Sequence, residues 1–299
     1  MSNHLRLPAA LLATTIAIAA CSAPGAGSPA PVGSTAPTPA PTASPSGLAH
    51  PTGADEIILR ADEGGGFVPI EWMAAHVPYF TLYGDGRVVF VSTGAVVEPA
   101  PDGALTATPL RTATLSETQI QDLILFALTD GGLAAARADY PNPLVADAPS
   151  TIFEIHADGD SKTVSIMALG MESQPGPDTA IKAAFLKLAE LLRDFDRGGT
   201  LNSSPYVPTA YRAVLNDAMG VQGVRVRDWP WTDLAATDFA PPADPNALQL
   251  RTRVLTPAQA EALGVKGFEA GIVGGVYLGG PDGKLYSLAL RPLLPDEDR

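Results

Sequence analysis

A ten-residue pattern occurs twice and limits the folds open to this chain. Leu110-Arg111-Thr112-Ala113-Thr114-Leu115-Ser116-Glu117-Thr118-Gln119 aligns with Leu250-Arg251-Thr252-Arg253-Val254-Leu255-Thr256-Pro257-Ala258-Gln259, both reading L-R-T-x-x-L-[ST]-x-x-Q. Each predicts a short strand running into a helix. The Ser or Thr caps the helix start, and the Gln three residues on reaches back to the cap. Pro257 falls at the first helical position, where a missing N–H costs nothing. Gly131-Gly132 and Gly264 suit the helix ends.

Around these units lie three Asp-Gly pairs between alternating apolar runs, at Asp85-Gly86, Asp158-Gly159 and Asp282-Gly283. Such pairs are strong hairpin signals. Ile181, Phe185, Leu188, Leu192 and Phe195 make one apolar helical stripe. Gly271, Gly275 and Gly279 sit among strand-forming residues and read as a bulged or closely covered strand. The expected class is α+β, with antiparallel sheets and helices on one face. Two related modules are expected, residues 55–198 and 199–299, either separate or packed as one domain. The competing explanation of the repeat is a common strand-to-capped-helix grammar without duplication.

The first 54 residues belong to a different regime. Arg6 precedes an apolar run, Leu7 to Ala20, too short to span a membrane. Ile18-Ala19-Ala20-Cys21 resembles a bacterial lipobox, which implies cleavage after residue 20 and attachment of diacylglycerol to the Cys21 thiol. An ordinary secretory signal with an incidental cysteine is the alternative. Residues 22–51 hold eight prolines and no charge. They cannot offset chain entropy by burial and are expected to form a disordered tether, with an extended reach of about 90 Å. A proline-motif ligand or a glycosylated stalk has the same composition. The expected layout is a signal peptide over 1–20, a lipidated cysteine and tether over 21–54, and then the folded part. Localisation follows: extracytoplasmic, held to the cell membrane by its lipid.

The chain carries 19 basic and 32 acidic residues, a net charge of −13. Without residues 1–20 the balance is 18 against 32, or −14. That sign opposes nucleic acid and anionic lipid surfaces, so acyl chains must provide the membrane contact. Cys21 is the single cysteine, which leaves none for disulfides, thiol catalysis or zinc-thiolate sites.

Catalytic signatures are sparse. There is no G-x-S-x-G, S-x-x-K, H-E-x-x-H or P-loop. Asp139, Asp147 and Glu154 flank a proline-containing loop, and a carboxylate pair there would suit a glycosidase or a calcium ion. The plainer reading makes them turn and loop residues. His156 precedes a hairpin turn and is either a strand side chain or a general base. His76 lies in a loop. Asp158-Gly159-Asp160 reads as a turn before a calcium loop. Two domain histidines without thiols make a poor zinc set, so neither metal nor cofactor is expected. Tyr206, Trp229 and Trp231 are candidates for an exposed aromatic patch, or else belong to the core.

Phe80-Thr81-Leu82-Tyr83-Gly84-Asp85-Gly86-Arg87-Val88, Leu115-Ser116, Asp139-Tyr140 and Asp147-Ala148-Pro149-Ser150-Thr151 resemble a bacterial envelope domain of unknown function. The closing Arg291-Pro292-Leu293-Leu294-Pro295-Asp296-Glu297 is similar to the end of uncharacterised secreted lipoproteins of high-GC bacteria. The resemblance covers most of residues 55–299 and implies fold and localisation, but no activity. The expectation for function is a non-enzymatic binding or assembly module with an envelope protein as partner. A carboxylate hydrolase of envelope glycans or peptides and a small-ligand receptor are the alternatives.

Overall fold

The computed structural model describes residues 47–68, 73–93, 105–106, 109–172, 175–197, 200–218, 222–241, 243–244, 249–265 and 271–297. Cys21, the signal segment and most of the tether lie outside these residues. Residues 46–299 form one unit, and its class is mixed α+β with two mostly antiparallel sheets.

In chain order, the first strands are β1 (Ile57–Gly65), β2 (Phe80–Tyr83), β3 (Arg87–Val91), β4 (Leu105–Thr106) and β5 (Leu110–Thr114). Helix α1 (Glu117–Leu128) leads to β6 (Asp139–Tyr140), β7 (Pro149–Ala157) and β8 (Asp160–Met167), then α2 (Thr179–Arg193). After β9 (Ser204–Pro205), β10 (Tyr211–Asp217) and β11 (Val226–Asp228) come a 3-10 turn at Ala236–Asp238, β12 (Arg251–Leu255), α3 (Pro257–Glu261), β13 (Val273–Gly279) and β14 (Leu285–Pro292). The first sheet runs β6-β8-β7-β1-β2-β3-β5-β9, and the second runs β11-β13-β14-β10-β12 with β4 paired to β13. Thus β4, from within 55–198, joins the second sheet, and β9, from within 199–299, joins the first.

Local signals appear where the sequence places them. All three Asp-Gly pairs turn hairpins, with Gly86, Gly159 and Gly283 at φ of 83°, 81° and 77°. Both repeats form a strand and a capping box. Gln119 N donates to Ser116 Oγ at 3.4 Å, and Gln259 N donates to Thr256 Oγ1 at 3.3 Å. β13 is bulged between Val273 and Val276, with Gly275 at φ 69°. The likeness of the repeats stops at topology. In the first sheet, strand β7 of the hairpin β7–β8 lies inward against β1; in the second, β14 of the hairpin β13–β14 lies inward against β10.

Helices α1 and α2 cover one face of the first sheet. Ile120, Leu123, Ile124 and Ala127 of α1, with Phe185, Leu188, Ala189 and Leu192 of α2, bury against Leu59, Ala61, Phe80, Phe90 and Phe153. Phe195 extends the stripe from just beyond α2 and meets the Phe80 and Phe90 rings edge-on at 4.8 and 5.4 Å. A second core forms on one face of the other sheet, under α3 and the Trp229–Phe239 segment. Smaller clusters join Tyr83, Val89 and Leu110 to Tyr206 and Leu294, and Val214 and Ala289 to Ala75. These clusters mark the seam between the sheets. Leu48 also packs on the α1 core and exchanges hydrogen bonds with Gln121 at 2.8 and 2.9 Å, so the last residues of the expected tether are docked.

Candidate functional site

The seam is closed by the last described residues. Leu293 and Leu294 are buried, and the Tyr206 hydroxyl donates to Leu293 O at 2.7 Å. Asp296 Oδ1 then accepts from Arg60 Nη2 at 2.7 Å and from the Tyr83 hydroxyl at 2.6 Å, both in the first sheet. Glu297 turns the other way. It accepts from Arg291 Nη1 at 2.6 Å and from Leu294 N at 2.8 Å, with Arg212 Nη1 at 3.6 Å. Two adjacent acids therefore hold one sheet each. Burial and the Asp296 bond push the Tyr83 hydroxyl far up, and burial raises Tyr206 to about 12. For Glu297, burial acts upward, but Arg291 and Arg212 outweigh it and hold the carboxyl below its ordinary range.

A carboxylate so held contributes stability above its unfolded pKa and loses it as pH falls through the lower folded value. Unfolding midpoints in urea should therefore decline as pH drops below about 4.3. Glu297→Gln should be less stable at pH 7 and show a flatter decline in that acid window. Equal slopes would remove Glu297 from the account.

A cleft of about 720 Å³ lies beside this seam, lined among others by Arg60, Asp62, His76, Arg212, Arg291 and Glu297. His76 Nε2 contacts Asp62 Oδ1.

Of the acids singled out from the sequence, Asp147 and Glu154 stand apart. Asp147, at φ 55°, lines the rim of a different groove, and its carbonyl accepts from Phe67 N at 3.2 Å. Glu154 lies five residues beyond Pro149 on β7, about 16 Å along the strand. Asp139 sits on edge strand β6, across β8 from β7. A glycosidase pair must lie within about 10 Å across one bond, and the spread from Asp147 to Glu154 exceeds that. Asp158-Gly159 forms the β7–β8 turn, and the Asp158 amide donates to Ala49 O at 2.6 Å.

Glu154 and His156 do meet, at 2.8 Å through His156 Nε2, and Ser161 bonds His156 Nδ1 from the facing strand. Cross-strand register creates this serine–histidine–glutamate row, and no sequence signal pointed to Ser161. A nucleophile also needs preorganised donors for its oxyanion and a seat for substrate. Ser161 is exposed on the hairpin.

Trp231 and Tyr206 are buried, and Trp229 is half-buried against the second core. Trp231 is 5% exposed and Tyr206 7%. Trp229 and Trp231 stack edge-on at 5.1 Å, and their indole N–H groups donate to Leu234 O at 2.7 Å and Gln259 O at 2.8 Å. With both the rings and the polar tips satisfied, these residues build the second core and form no exposed patch.

An apolar opening among the described residues went unnoticed in the sequence. It is a groove of about 820 Å³ at one end of the first sheet, lined by Glu63, Gly64 to Val68, Met73, Val77, Tyr79 and Val91 among others. Phe67 stands at its lip, 93% exposed. Arg193 pairs with Glu63 and lies over the Tyr79 ring at 5.1 Å. Three consecutive glycines followed by an aromatic were the available signal, read as a loosened loop. In fact Gly64 and Gly65 continue β1.

Among the described residues, no group of three or more His, Cys, Asp or Glu side chains is placed to hold a metal ion, and no helix is long and apolar enough to cross a membrane. No protein-family model matches the chain, and neither a curated protein nor a solved structure matches it.

Proposed function

We propose that this chain is a lipid-anchored protein of the cell envelope, whose folded body is a non-enzymatic binding or assembly module on the outer face of the membrane. The observation that carries this reading is the apolar groove at the end of the first sheet, with Phe67 exposed at its lip. A concave, mainly apolar opening with a few charged groups at its rim is the default place for a binding site. The lipobox at Cys21 and the proline-rich segment after it supply the anchor and spacer. The acidic balance directs the module toward protein partners and away from nucleic acid.

A receptor for a small anionic ligand is the second reading, favoured by the four arginines of the seam cleft, Arg60, Arg212, Arg253 and Arg291. Three of them, Arg60, Arg212 and Arg291, are already engaged by Asp296 and Glu297, and an added anion would compete with both. The groove is therefore preferred. The hydrolase reading loses support from the separation of Asp147 and Glu154.

Crosslinking in intact cells, with products identified by mass spectrometry, tests the reading. Wild type should fractionate with membranes and capture one specific envelope protein. Cys21→Ala should leave the membrane fraction and lose that product. Uncrosslinked monomer alone, with wild type still in the membrane fraction, would defeat the binding-module reading.

A further inference from the structure

Among the described residues, β1 runs on past the end of β2 beside the groove. β1 pairs with β7 along its length as far as Gly65↔Pro149, but with β2 only as far as Ala61↔Phe80. One more bond, Val91 N to Tyr79 O at 2.9 Å, closes the β2–β3 pair, after which the chain before Tyr79 leaves the sheet. Glu63 to Gly65 thus have a strand neighbour on one side and line the groove.

The backbone there is unpaired in a specific way. Glu63 N–H is taken by the neighbouring Asp62 side chain, Oδ1 at 2.7 Å, instead of by a ladder carbonyl. Strand amides need partners, and a local carboxylate is the substitute when no strand is present. A Cβ atom at Gly64 or Gly65 would meet no heavy atom within 4 Å, so the sheet faces are uncrowded there.

We infer that this position accepts an extended, mainly apolar peptide segment of a partner protein, added as a strand beside Asp62–Gly65. The inference rests on the binding-module reading. Main-chain bonds would supply affinity, and alternate side chains would rest on Val77, Tyr79 and Val91. Glu63 and Asp147 against Arg193 leave the rim with one excess negative charge, which suits a basic residue flanking the apolar run. This chain's own tether is a poor occupant, because proline cannot donate to a ladder. Its last residues join the body elsewhere: the Ala49 carbonyl accepts from Asp158 N, just past the end of β7 opposite Pro149.

The test uses the full-length lipoprotein in nanodiscs and a capped peptide, Lys-Val-Thr-Val-Thr-Val, with a twin methylated at every Val and Thr nitrogen. The peptide should slow hydrogen exchange at Glu63–Gly66, and the methylated twin should bind at least tenfold more weakly. Gly64→Trp fills open space, so it should keep the wild-type melting temperature and lose binding at least tenfold. Phe67→Ser, at a fully exposed lip, provides a second variant with no folding cost and should also weaken binding. Equal binding of the methylated twin, no protection at Glu63–Gly66, or full affinity in Gly64→Trp would overturn the inference. In cells, a photo-crosslinking residue at position 67 separates the two claims. A partner captured there supports both; a partner captured only at other surfaces overturns strand addition and leaves the binding module standing.

Discussion

Asp296→Ala should cost about 3–5 kcal/mol of unfolding free energy, the range for removing one member of a buried pair. The Asp296 and Arg60 side chains are only 15% and 18% exposed, so the loss strands a guanidinium in poor solvation. Burial alone would lower the Arg60 pKa, and the hydrogen bond and charge of Asp296 reverse this to a net rise. The fully buried Tyr83 hydroxyl would lose its acceptor at the same time. Urea unfolding at pH 7 is the measurement. Asp296→Asn should fall between, since it keeps an oxygen for Tyr83 but no charge. The double substitution Arg60→Met with Asp296→Leu should recover much of the loss, because two apolar groups leave no orphaned charge. A loss below about 1 kcal/mol for Asp296→Ala would place the pair with exposed ion pairs and deny the tail its role as a strap.

Trp231→Ala should be similarly damaging, about 3–5 kcal/mol, the usual cost of emptying a buried aromatic site. The indole fills the second core between Trp229 and Phe239, with ring centroids 5.1 and 6.0 Å away, and its N–H satisfies Gln259 O. Gln259 belongs to α3, only five residues long and too short to persist without tertiary support. Loss of Trp231 should therefore also release α3, visible as faster hydrogen exchange at Ala260 and Ala262. An aromatic residue serving an exposed ligand patch would behave oppositely, leaving the urea midpoint unchanged. Such a result would restore the patch considered for Trp229 and Trp231.

Much of the architecture was legible because its causes are local. An Asp-Gly pair turns a hairpin through the backbone freedom of one glycine. Ser116 and Thr256 cap helices three residues away. The stripe through Phe185, Leu188 and Leu192 repeats with the helix period. None of these requires knowledge of what lies across the fold, and together they specify α+β with antiparallel hairpins.

The candidate site was far less legible. Asp147 and Glu154 are close in sequence, yet the extended β7 carries them apart. Ser161 reaches His156 only through hairpin register. The groove exists because β2 ends before β1 does, a mismatch between strands that no single segment records. Likewise, Arg-Pro-Leu-Leu-Pro-Asp-Glu reads as a bland tail until Asp296 is seen to meet Arg60, 236 residues earlier.

By itself, then, the sequence determined the local elements, their turns and caps, the acidic balance, and the features at Cys21 that predict a lipid anchor. Tertiary structure alone decided strand order, the strap across the seam, the packing of Trp229 and Trp231 in the second core, and the end of β2 short of β1. The physical reason is range. Caps and turns are satisfied within four or five residues, whereas strand neighbours and buried ion pairs are chosen by chain closure over tens to hundreds of residues.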